Sequence, residues 1–267
     1  MKMYFLNFGI LTAEEGWFFE GGACATLEQP SPEHKFLRIQ MEGILIDHPT
    51  EGLIIYEVGP APNYKELWPK EVYSVFPITE YTDENRLDNI LQKAGYKIDD
   101  VSAIILGHLH LDHAGGLEFF RGKDIPIYVH EEELKYAFYA VATKQDFGAY
   151  IPHYLDFGFN WRPVHENEVE LFKDITLYHI PGHTPGTMAM RVDLKDTGSW
   201  IFISDLAFYK DNYELVKPQG WLIRDMNSWF KSVRKVKALE RANSAKVIPG
   251  HDPNVFAHFK HAPEYYS

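Results

Sequence analysis

Short apolar runs, each about the length of a β-strand, recur along this chain and are separated by turn-forming segments. Residues 36–58 are predicted to form a pair of strands, because β-rich runs at 44–46 and 53–56 flank a turn-type cluster at 48–52. Further runs of this kind predict strands at 101–106, 126–129, 175–180, 200–203 and 246–248. We therefore expect much of the chain to fold into β-sheet.

Helical periodicity is clearest in the segment 83–95. Apolar residues recur there three, four and seven positions after Leu87, as they do on one face of an α-helix. Thr82 or Asp83 can cap the first turn, and Gly95 can end the helix. Two more helices are predicted at 134–142 and 228–241. Helices that alternate with strands in this way are typical of a mixed α/β domain.

Four of the predicted strands are each followed by residues that can bind metals. The segment 107–113 follows the strand at 101–106 and contains three His and one Asp. His183, Asp205 and His251 each follow one of the later strands by a few residues. Because functional side chains are often grouped at the strand ends of a rigid scaffold, we expect these residues to converge.

The chemistry of these residues favours a metal site. Side chains two apart on an extended segment point the same way, so His108 and His110 can bind one ion. Neutral imidazole is the commonest metal ligand, and the carboxylate of Asp205 can bridge two cations. Nitrogen and oxygen ligands without a thiolate suit Zn²⁺, with Fe²⁺, Mn²⁺ and Co²⁺ as alternatives. The predicted ligands are His108, His110, Asp112, His113, His183, Asp205 and His251.

Composition narrows the classes of function. The 267 residues carry a formal net charge of −12, which argues against a nucleic acid partner. Apolar runs fall well short of the roughly 20 residues that cross a bilayer, so no membrane partner is expected. Cys24 is the single cysteine, which excludes an internal disulfide and a zinc–thiolate cluster. Acidic residues near the N-terminus argue against a signal peptide, and we therefore expect a cytoplasmic location.

The motif at 108–113, followed by a Gly pair, resembles the HxHxDH signature of the metallo-β-lactamase superfamily. The segments 181–186, 203–205 and 249–252 resemble the remaining motifs of that superfamily, in the same order. The resemblance extends from about residue 36 to 255. Within the superfamily, the complete ligand set and the length are most similar to the N-acyl-homoserine lactonase branch.

This resemblance implies a fold and a set of roles. The fold is a single α/β domain over residues 1–267, an αββα sandwich of two facing sheets with helices outside and metals at one edge. His108, His110 and His183 would bind one metal, and Asp112, His113 and His251 the other, with Asp205 bridging them. A metal-bound hydroxide would then attack the carbonyl of a small cyclic ester, with Asp112 accepting or relaying a proton.

Two residues depart from the pattern of the lactonase branch. Glu57 stands where an Asp is usual, and its longer side chain can give the same support to a metal ligand. Phe208 stands three residues after Asp205, where the branch has a Tyr whose hydroxyl assists at the substrate carbonyl. Either the adjacent Tyr209 takes this catalytic role through a shifted loop, or the carbonyl is handled without a phenol.

Aromatic residues are concentrated in a segment at about 134–165, which we interpret as an insertion. Its aromatic residues up to 161 are Tyr136, Phe138, Tyr139, Phe147, Tyr150, Tyr154, Phe157, Phe159 and Trp161. Such residues beside a metal edge can form an apolar pocket wall, although core packing or a subunit interface would also account for any one of them. The predicted substrate-binding residues are Phe208, Trp17, Phe18, Tyr64, Trp68, Tyr136 and Tyr139.

The leading hypothesis is a dinuclear metal-dependent hydrolase that opens a small, apolar or aromatic lactone. The first alternative is a cyclic amide or carbamate as substrate, which the missing phenol at Phe208 would allow. A thioester hydrolase would use the same ligands, and an iron redox enzyme of the flavodiiron kind would replace His110 by Glu. The expected partners are a small-molecule substrate and a second copy of the chain in a homodimer.

Overall fold

A computed structural model describes residues 1–146 and 149–267. The strands are β1 Lys2–Glu14, β2 Phe36–His48, β3 Gly52–Tyr56, β4 Ile78–Glu80, β5 Val101–Ile105, β6 Pro126–His130, β7 Asn160–Val164, β8 Glu168–Phe172, β9 Ile175–His179, β10 Met188–Leu194, β11 Gly198–Phe202 and β12 Lys246–Ile248. The α-helices are α1 Tyr64–Leu67, α2 Lys70–Val75, α3 Leu87–Lys93, α4 Leu111–Ala114, α5 Glu131–Thr143, α6 Lys210–Glu214, α7 Met226–Asn243 and α8 Pro253–Phe256.

The strands of the described residues form two sheets. One has the strand order β4-β1-β2-β3-β5-β6-β7, and the other has the order β12-β11-β10-β9-β8. The longest pairing is antiparallel, between β1 and β2, while β3, β5, β6 and β7 run parallel to one another. Parallel neighbours require crossover connections, which α3 and α5 supply on one face of the larger sheet.

Alternation of side chains along the strands places the two sheets face to face. Phe5 of β1 contacts Trp200 and Phe202 of β11, with ring centroids 5.9 and 5.7 Å apart. Leu6, the next residue of β1, points the opposite way into a core that includes residues of α3 and α5. On the outer face of the smaller sheet, Ile201 packs in a core with residues of α7. The order helix, sheet, sheet, helix confirms the predicted αββα fold.

One predicted helix is divided in the structure, and two of the observed strands were not predicted. The segment 83–95 forms a 3₁₀ turn at Asp83–Asn85 and then α3, because Arg86 has an extended backbone with ψ of 135°. β1 was not predicted, since most of its residues are buried on both faces and alternation is lost. β10 was not predicted either, because it begins with Met and Ala, which are poor indicators of a strand.

The aromatic-rich segment 134–165 contains most of α5 and all of β7. α5 joins β6 to its parallel neighbour β7, so this part of the segment belongs to the main sheet. Phe147 lies outside the described residues. That the segment is an insertion relative to related proteins stays a prediction. Among the helices of the described residues, none combines the length and the apolar character that crossing a membrane requires.

Candidate metal centre and cavity

The seven predicted ligands, called the ligand cluster below, lie in loops that follow the strands of both sheets. β5 ends at Ile105, and the loop and short helix after it carry the ligands between 108 and 113. His183 follows β9, Asp205 follows β11 and His251 follows β12. The sequence prediction that these segments converge is correct, because their side chains contact one another as described next.

One oxygen of Asp205 faces the first group of donors. Its Oδ2 lies 3.1 Å from Nε2 of His183 and 3.6 Å from Nε2 of His108. Nε2 of His183 is 3.0 Å from Nδ1 of His110. Donor atoms from these four residues lie within 4.8 Å of one another, and all four residues are buried. This spacing is compatible with a single cation among them.

The other oxygen of Asp205 faces a second group. Its Oδ1 lies 2.8 Å from Nε2 of His251 and 3.1 Å from Nε2 of His113. Oδ2 of Asp112 is 3.7 Å from the same nitrogen of His113 and 3.9 Å from that of His251. Asp205 thus contacts two separate donor groups, one through each carboxylate oxygen.

Hydrogen bonds behind the cluster engage one nitrogen of the His251 and His183 rings and turn the other nitrogen into the cluster. Nδ1 of His251 donates to the backbone carbonyl of Gln40 at 2.7 Å, and Nδ1 of His183 donates to Oε1 of Gln219 at 3.1 Å. These acceptors require a proton on Nδ1, so Nε2 of each ring, which faces Asp205, is the nitrogen that could bind a metal. Nε2 of His108 is buried without a hydrogen-bond partner among the described residues. The cluster therefore fits divalent metal ions.

The charges of the cluster support this fit. Burial lowers the pKa of His108 and His110 well below the usual histidine value, which keeps both rings neutral. Burial alone would raise the pKa of Asp205, but the histidines around it, led by His251 and His113, hold that pKa well below its usual range. Burial opposes protonation of His113, yet Asp205 and the other carboxylates raise its pKa. A divalent cation can replace such protons.

Glu57 contacts residues of the ligand loops through its carboxylate, as expected from its place in the pattern of the lactonase branch. Its Oε1 accepts hydrogen bonds from Oγ of Ser204 at 2.9 Å and from the backbone N–H of Gly107 at 3.2 Å. The same oxygen lies 3.3 Å from Nδ1 of His113. Glu57 has a left-handed backbone with φ of 60°, which is uncommon for a residue with a side chain. One carboxylate oxygen therefore orients the two residues that directly precede His108 and Asp205.

Glu133 of α5, which was not predicted from the sequence, links the ligand loop that contains Leu109 to the one that contains Thr184. Its Oε1 accepts from the backbone N–H of Leu109 at 3.0 Å and from the hydroxyl of Tyr150 at 2.8 Å. Its Oε2 accepts from Oγ1 of Thr184 at 2.5 Å and from the N–H of Gly186 at 3.2 Å. Burial raises the pKa of Glu133, and these hydrogen bonds oppose the shift. The available signal was helix phase, because Glu133 shares a face with the buried Ala137 and Ala140.

A cavity of about 350 Å³ opens beside the ligand cluster. His110, Asp112, His183 and Asp205 lie at one end of it, and apolar side chains form most of the remaining wall. Four of the predicted substrate-binding residues line this cavity, namely Trp17, Phe18, Tyr136 and Phe208. A volume of this size with a few polar groups at one end is typical of a small-molecule site.

Phe208 forms part of the cavity wall next to the ligands. Its ring stacks on that of His251, with centroids 4.8 Å apart and planes inclined by 18°. It also packs edge-on against His183 at 5.7 Å. The position at which the lactonase branch has a phenol therefore presents an apolar ring to the cavity.

Tyr209 points away from the cluster, so the prediction that it could be catalytic is not supported by its position. Its hydroxyl donates to the backbone carbonyl of Arg38 at 2.9 Å, and its ring stacks on Phe19 at 5.5 Å. It is not among the residues that line the cavity. The cause is the offset of one residue from Phe208, which turns the side chain to the other side of the loop.

Three other predicted substrate-binding residues lie outside the cavity wall. Tyr64 and Trp68 are buried and pack against each other, with ring centroids 5.8 Å apart, in an aromatic core around α1. Tyr139 is 57% exposed because it lies on the solvent face of α5, opposite Ala137 and Ala140. The first two are held in core packing and the third faces solvent, so none of the three lies in the cavity wall of this structure.

An ion pair in the cavity wall was also not predicted from the sequence. Arg224 and Asp146 both line the cavity, together with Tyr136. Asp146 has a left-handed backbone with φ of 62°, and Arg224 ends a short apolar stretch at 221–223. Neither feature distinguishes these residues in the sequence, since the two are 78 positions apart.

Comparison with known proteins agrees with this geometry. Residues 44–251 match the family model of the metallo-beta-lactamase superfamily. The chain is 26% identical over 266 residues to the N-acyl homoserine lactonase AiiB of Agrobacterium fabrum, covering 96% of this chain and 95% of that protein. It is 31% identical over 236 residues to the N-acyl homoserine lactonase AttM of the same organism, covering 84% and 86%.

A solved structure shows the same fold. It is an N-acyl homoserine lactone hydrolase with the product N-hexanoyl-L-homoserine bound at its catalytic metal center. Its TM-score is 0.83 at 24% identity, and the match covers 99% of this chain and 98% of that one. The chain thus belongs to the metallo-β-lactamase superfamily, in the branch that contains the N-acyl homoserine lactonases. The prediction of a metal-dependent, lactonase-like hydrolase is confirmed at this level.

Proposed function

We propose that this protein is a dinuclear metal-dependent hydrolase that opens the ring of a lactone, with Zn²⁺ as the metal. The observation that carries the proposal is the position of Asp205, whose two oxygens face two separate donor groups at one end of an apolar cavity. The curated relatives are N-acyl homoserine lactonases, which supports lactones as the substrate class.

The residues of the chain divide the work between holding metals and moving a proton. His108, His110 and His183 would hold one ion, Asp112, His113 and His251 would hold the other, and Asp205 would contribute to both. When bound, the two ions supply Lewis acidity, which activates water and polarises the ester carbonyl. Asp112 lines the cavity and is 15% exposed, so its carboxylate can accept the proton of the attacking water and return it to the departing ring oxygen.

The wall of the cavity favours an apolar or aromatic lactone of small size. Trp17, Phe18 and Phe208 contribute aromatic surface beside the ligand cluster. Burying such surface against an apolar chain or ring contributes roughly 25 cal/mol for each Å² removed from water. A strongly charged substrate would gain no such stabilisation there.

Phe208 favours a second candidate function, the opening of a cyclic amide or carbamate. No hydroxyl is offered to the substrate carbonyl by this residue, and the hydroxyl of Tyr209 is used by the backbone of Arg38. Because a phenol placed for ester geometry is missing, the site has less to distinguish an ester carbonyl from an amide carbonyl. The reaction would use the same ligands and the same water.

A hydrolysis screen tests both candidates. The metal-replete enzyme is assayed with a pH indicator on acylated homoserine lactones, aromatic lactones, lactams and a thioester. We expect lactones to be opened fastest, and we expect His183→Ala to abolish activity and lower the metal content. The matched control is His258→Ala, because His258 is exposed and is not one of the seven predicted ligands. Turnover of the lactams or the thioester with inert lactones would contradict the lactonase proposal.

The homodimer and the cytoplasmic location stay predictions. Sedimentation equilibrium of the metal-replete protein tests the first, since a homodimer has twice the chain mass of 30.9 kDa. Cell fractionation with an antibody against the chain tests the second. A monomer at micromolar concentration, or recovery outside the cytoplasmic fraction, would contradict these expectations.

A further inference from the structure

Arg224 is held rigidly at the cavity wall by a bidentate ion pair. Its Nε donates to Oδ2 of Asp146 at 3.0 Å, and its Nη2 donates to Oδ1 at 2.5 Å. The hydroxyl of Tyr136 donates to the same carboxylate at 3.1 Å. The side chains of Arg224 and Asp146 are 17% and 6% exposed. A planar guanidinium bound at two points has little freedom to rotate.

The backbone of Arg224 is tied to a metal-ligand loop. The N–H groups of Arg224 and Asp225 both donate to the carbonyl of Gly182, at 2.9 and 3.0 Å. Gly182 directly precedes His183 in the chain. Two backbone hydrogen bonds therefore hold the chain at Arg224 beside the loop that carries His183.

Hydrogen-bond counting leaves donors available on Arg224. A guanidinium has five N–H groups, and two of them are used by Asp146. A third donates from Nη1 to the carbonyl of Leu222 at 2.7 Å. Nη1 and Nη2 each keep one further N–H, and the hydroxyl of Tyr136 is close enough to the guanidinium to accept one of them. Because Arg224 lines the cavity, the remaining N–H can be used by a bound molecule.

The charge of the ion pair indicates what kind of group can bind there. The carboxylate of Asp146 neutralises the guanidinium, so the pair offers hydrogen-bond donors but no net positive charge. An anionic group would gain little Coulomb energy and would lose its hydration in an apolar cavity. A neutral carbonyl oxygen loses less and accepts the same hydrogen bonds. Most of the cavity wall is apolar, so this donor can anchor a polar group of a bound molecule there.

We propose that Arg224 is a specificity-determining residue that donates to a neutral carbonyl oxygen on the substituent of the lactone ring. This inference rests on the proposed lactonase function and adds to it a preference for lactones with an amide carbonyl outside the ring. Asp146 is a positioning residue, since it holds the guanidinium and cancels its charge. Opening of the ring itself does not require either residue.

The test compares two lactones that differ in one group. The probes are N-hexanoyl-L-homoserine lactone and a γ-butyrolactone that carries a heptyl chain on the same ring carbon, so that CH₂–CH₂ replaces the amide. The main variant is Asp146→Leu with Arg224→Met, because replacing both partners leaves no buried charge unpaired. Loss of a hydrogen bond from a charged donor predicts that the ratio of kcat/KM, amide lactone over alkyl lactone, falls roughly tenfold to hundredfold.

Two further variants separate specificity from structure. Arg224→Lys keeps the positive charge but removes the planar guanidinium with its two parallel donors, and we expect a smaller fall in the ratio. The matched control is Arg86→Met with Asp88→Leu, because these residues form a bidentate pair outside the cavity, at 3.2 and 2.9 Å. The control should leave the ratio as in the wild type.

The possible outcomes distinguish the inference from the proposed function. An equal loss on both lactones at full metal content, or an unchanged ratio, would overturn the role of Arg224 while leaving the lactonase function intact. A wild-type enzyme that opens neither lactone would refute the proposed function and this inference together. A fall in the ratio that is absent from the control pair supports the assignment.

Discussion

Replacing Glu133 by Gln tests how much the ligand cluster depends on one buried carboxylate. Glu133 accepts four hydrogen bonds, two on each oxygen, and two of the donors, Leu109 and Thr184, are chain neighbours of predicted ligands. Gln keeps one acceptor oxygen but places an NH₂ group where Oε2 was. The hydroxyl of Thr184 can turn and accept from this NH₂.

The second donor to Oε2, the backbone N–H of Gly186, determines how much stability is lost. The N–H of Gly186 would face the new NH₂ group, and a buried N–H without an acceptor costs about 1–3 kcal/mol. Loss of charge-assisted hydrogen bonds adds to this, so we expect Glu133→Gln to lower the free energy of unfolding by about 2–4 kcal/mol. For a chain of this size, this corresponds to a fall in Tm of roughly 4–16 °C. Metal affinity should fall by roughly tenfold to hundredfold, because the ligand loops lose their common anchor.

The assay is thermal unfolding by circular dichroism, together with metal titration against a competing chelator. The matched control is Glu132→Gln, since Glu132 precedes Glu133 in α5 but is exposed and pairs with Lys135. Its Tm should stay within about 2 °C of the wild type. A Glu133→Gln variant with unchanged Tm and metal affinity would refute the reasoning that this carboxylate joins the two loops.

Further predictions concern the metals, the cavity wall and pH. His110→Ala and His183→Ala should each lose bound metal and activity together, and two metals per chain in either variant would contradict the ligand assignment. Verified removal of metal by a chelator should lower Tm, since the ions bind only the folded chain. Tyr209→Phe should keep a near-normal rate. A loss of about 2–4 kcal/mol in transition-state stabilisation at full metal content would instead assign it the phenol role. Phe208→Tyr should shift selectivity between cyclic esters and cyclic amides. Burial, with a smaller effect of the neighbouring His179, lowers the pKa of His130 to about 4. The unfolded chain therefore binds a proton that the folded chain does not, and stability should fall by up to about 3 kcal/mol as pH drops from about 6.5 to 4. Unfolding of His130→Gln across that range should show a smaller slope, and an identical slope would refute this contribution.

The sequence by itself determined the candidate ligand residues and the class of fold. His108 to His113 lie in one short segment, so their spacing is visible without any tertiary information. His183, Asp205 and His251 could be added because each directly follows an apolar strand. Both signals are local, and local backbone geometry is what short sequence patterns encode best.

Only the tertiary structure decided how these ligands are supported and what surrounds them. Glu133 is one of three consecutive glutamates, and its burial depends on packing of α5 against loops 24 and 51 positions away in the chain. Arg224 and Asp146 are 78 positions apart, and nothing local marks them as partners. Tyr64 and Trp68 read as pocket residues but lie in a core, because composition indicates how apolar a segment is and not which surface it covers. The direction of Tyr209 likewise depends on the contact of its loop with Arg38 of β2. Contacts between distant segments are set by how the two sheets and their helices pack, and this packing is a property of the whole chain rather than of any motif.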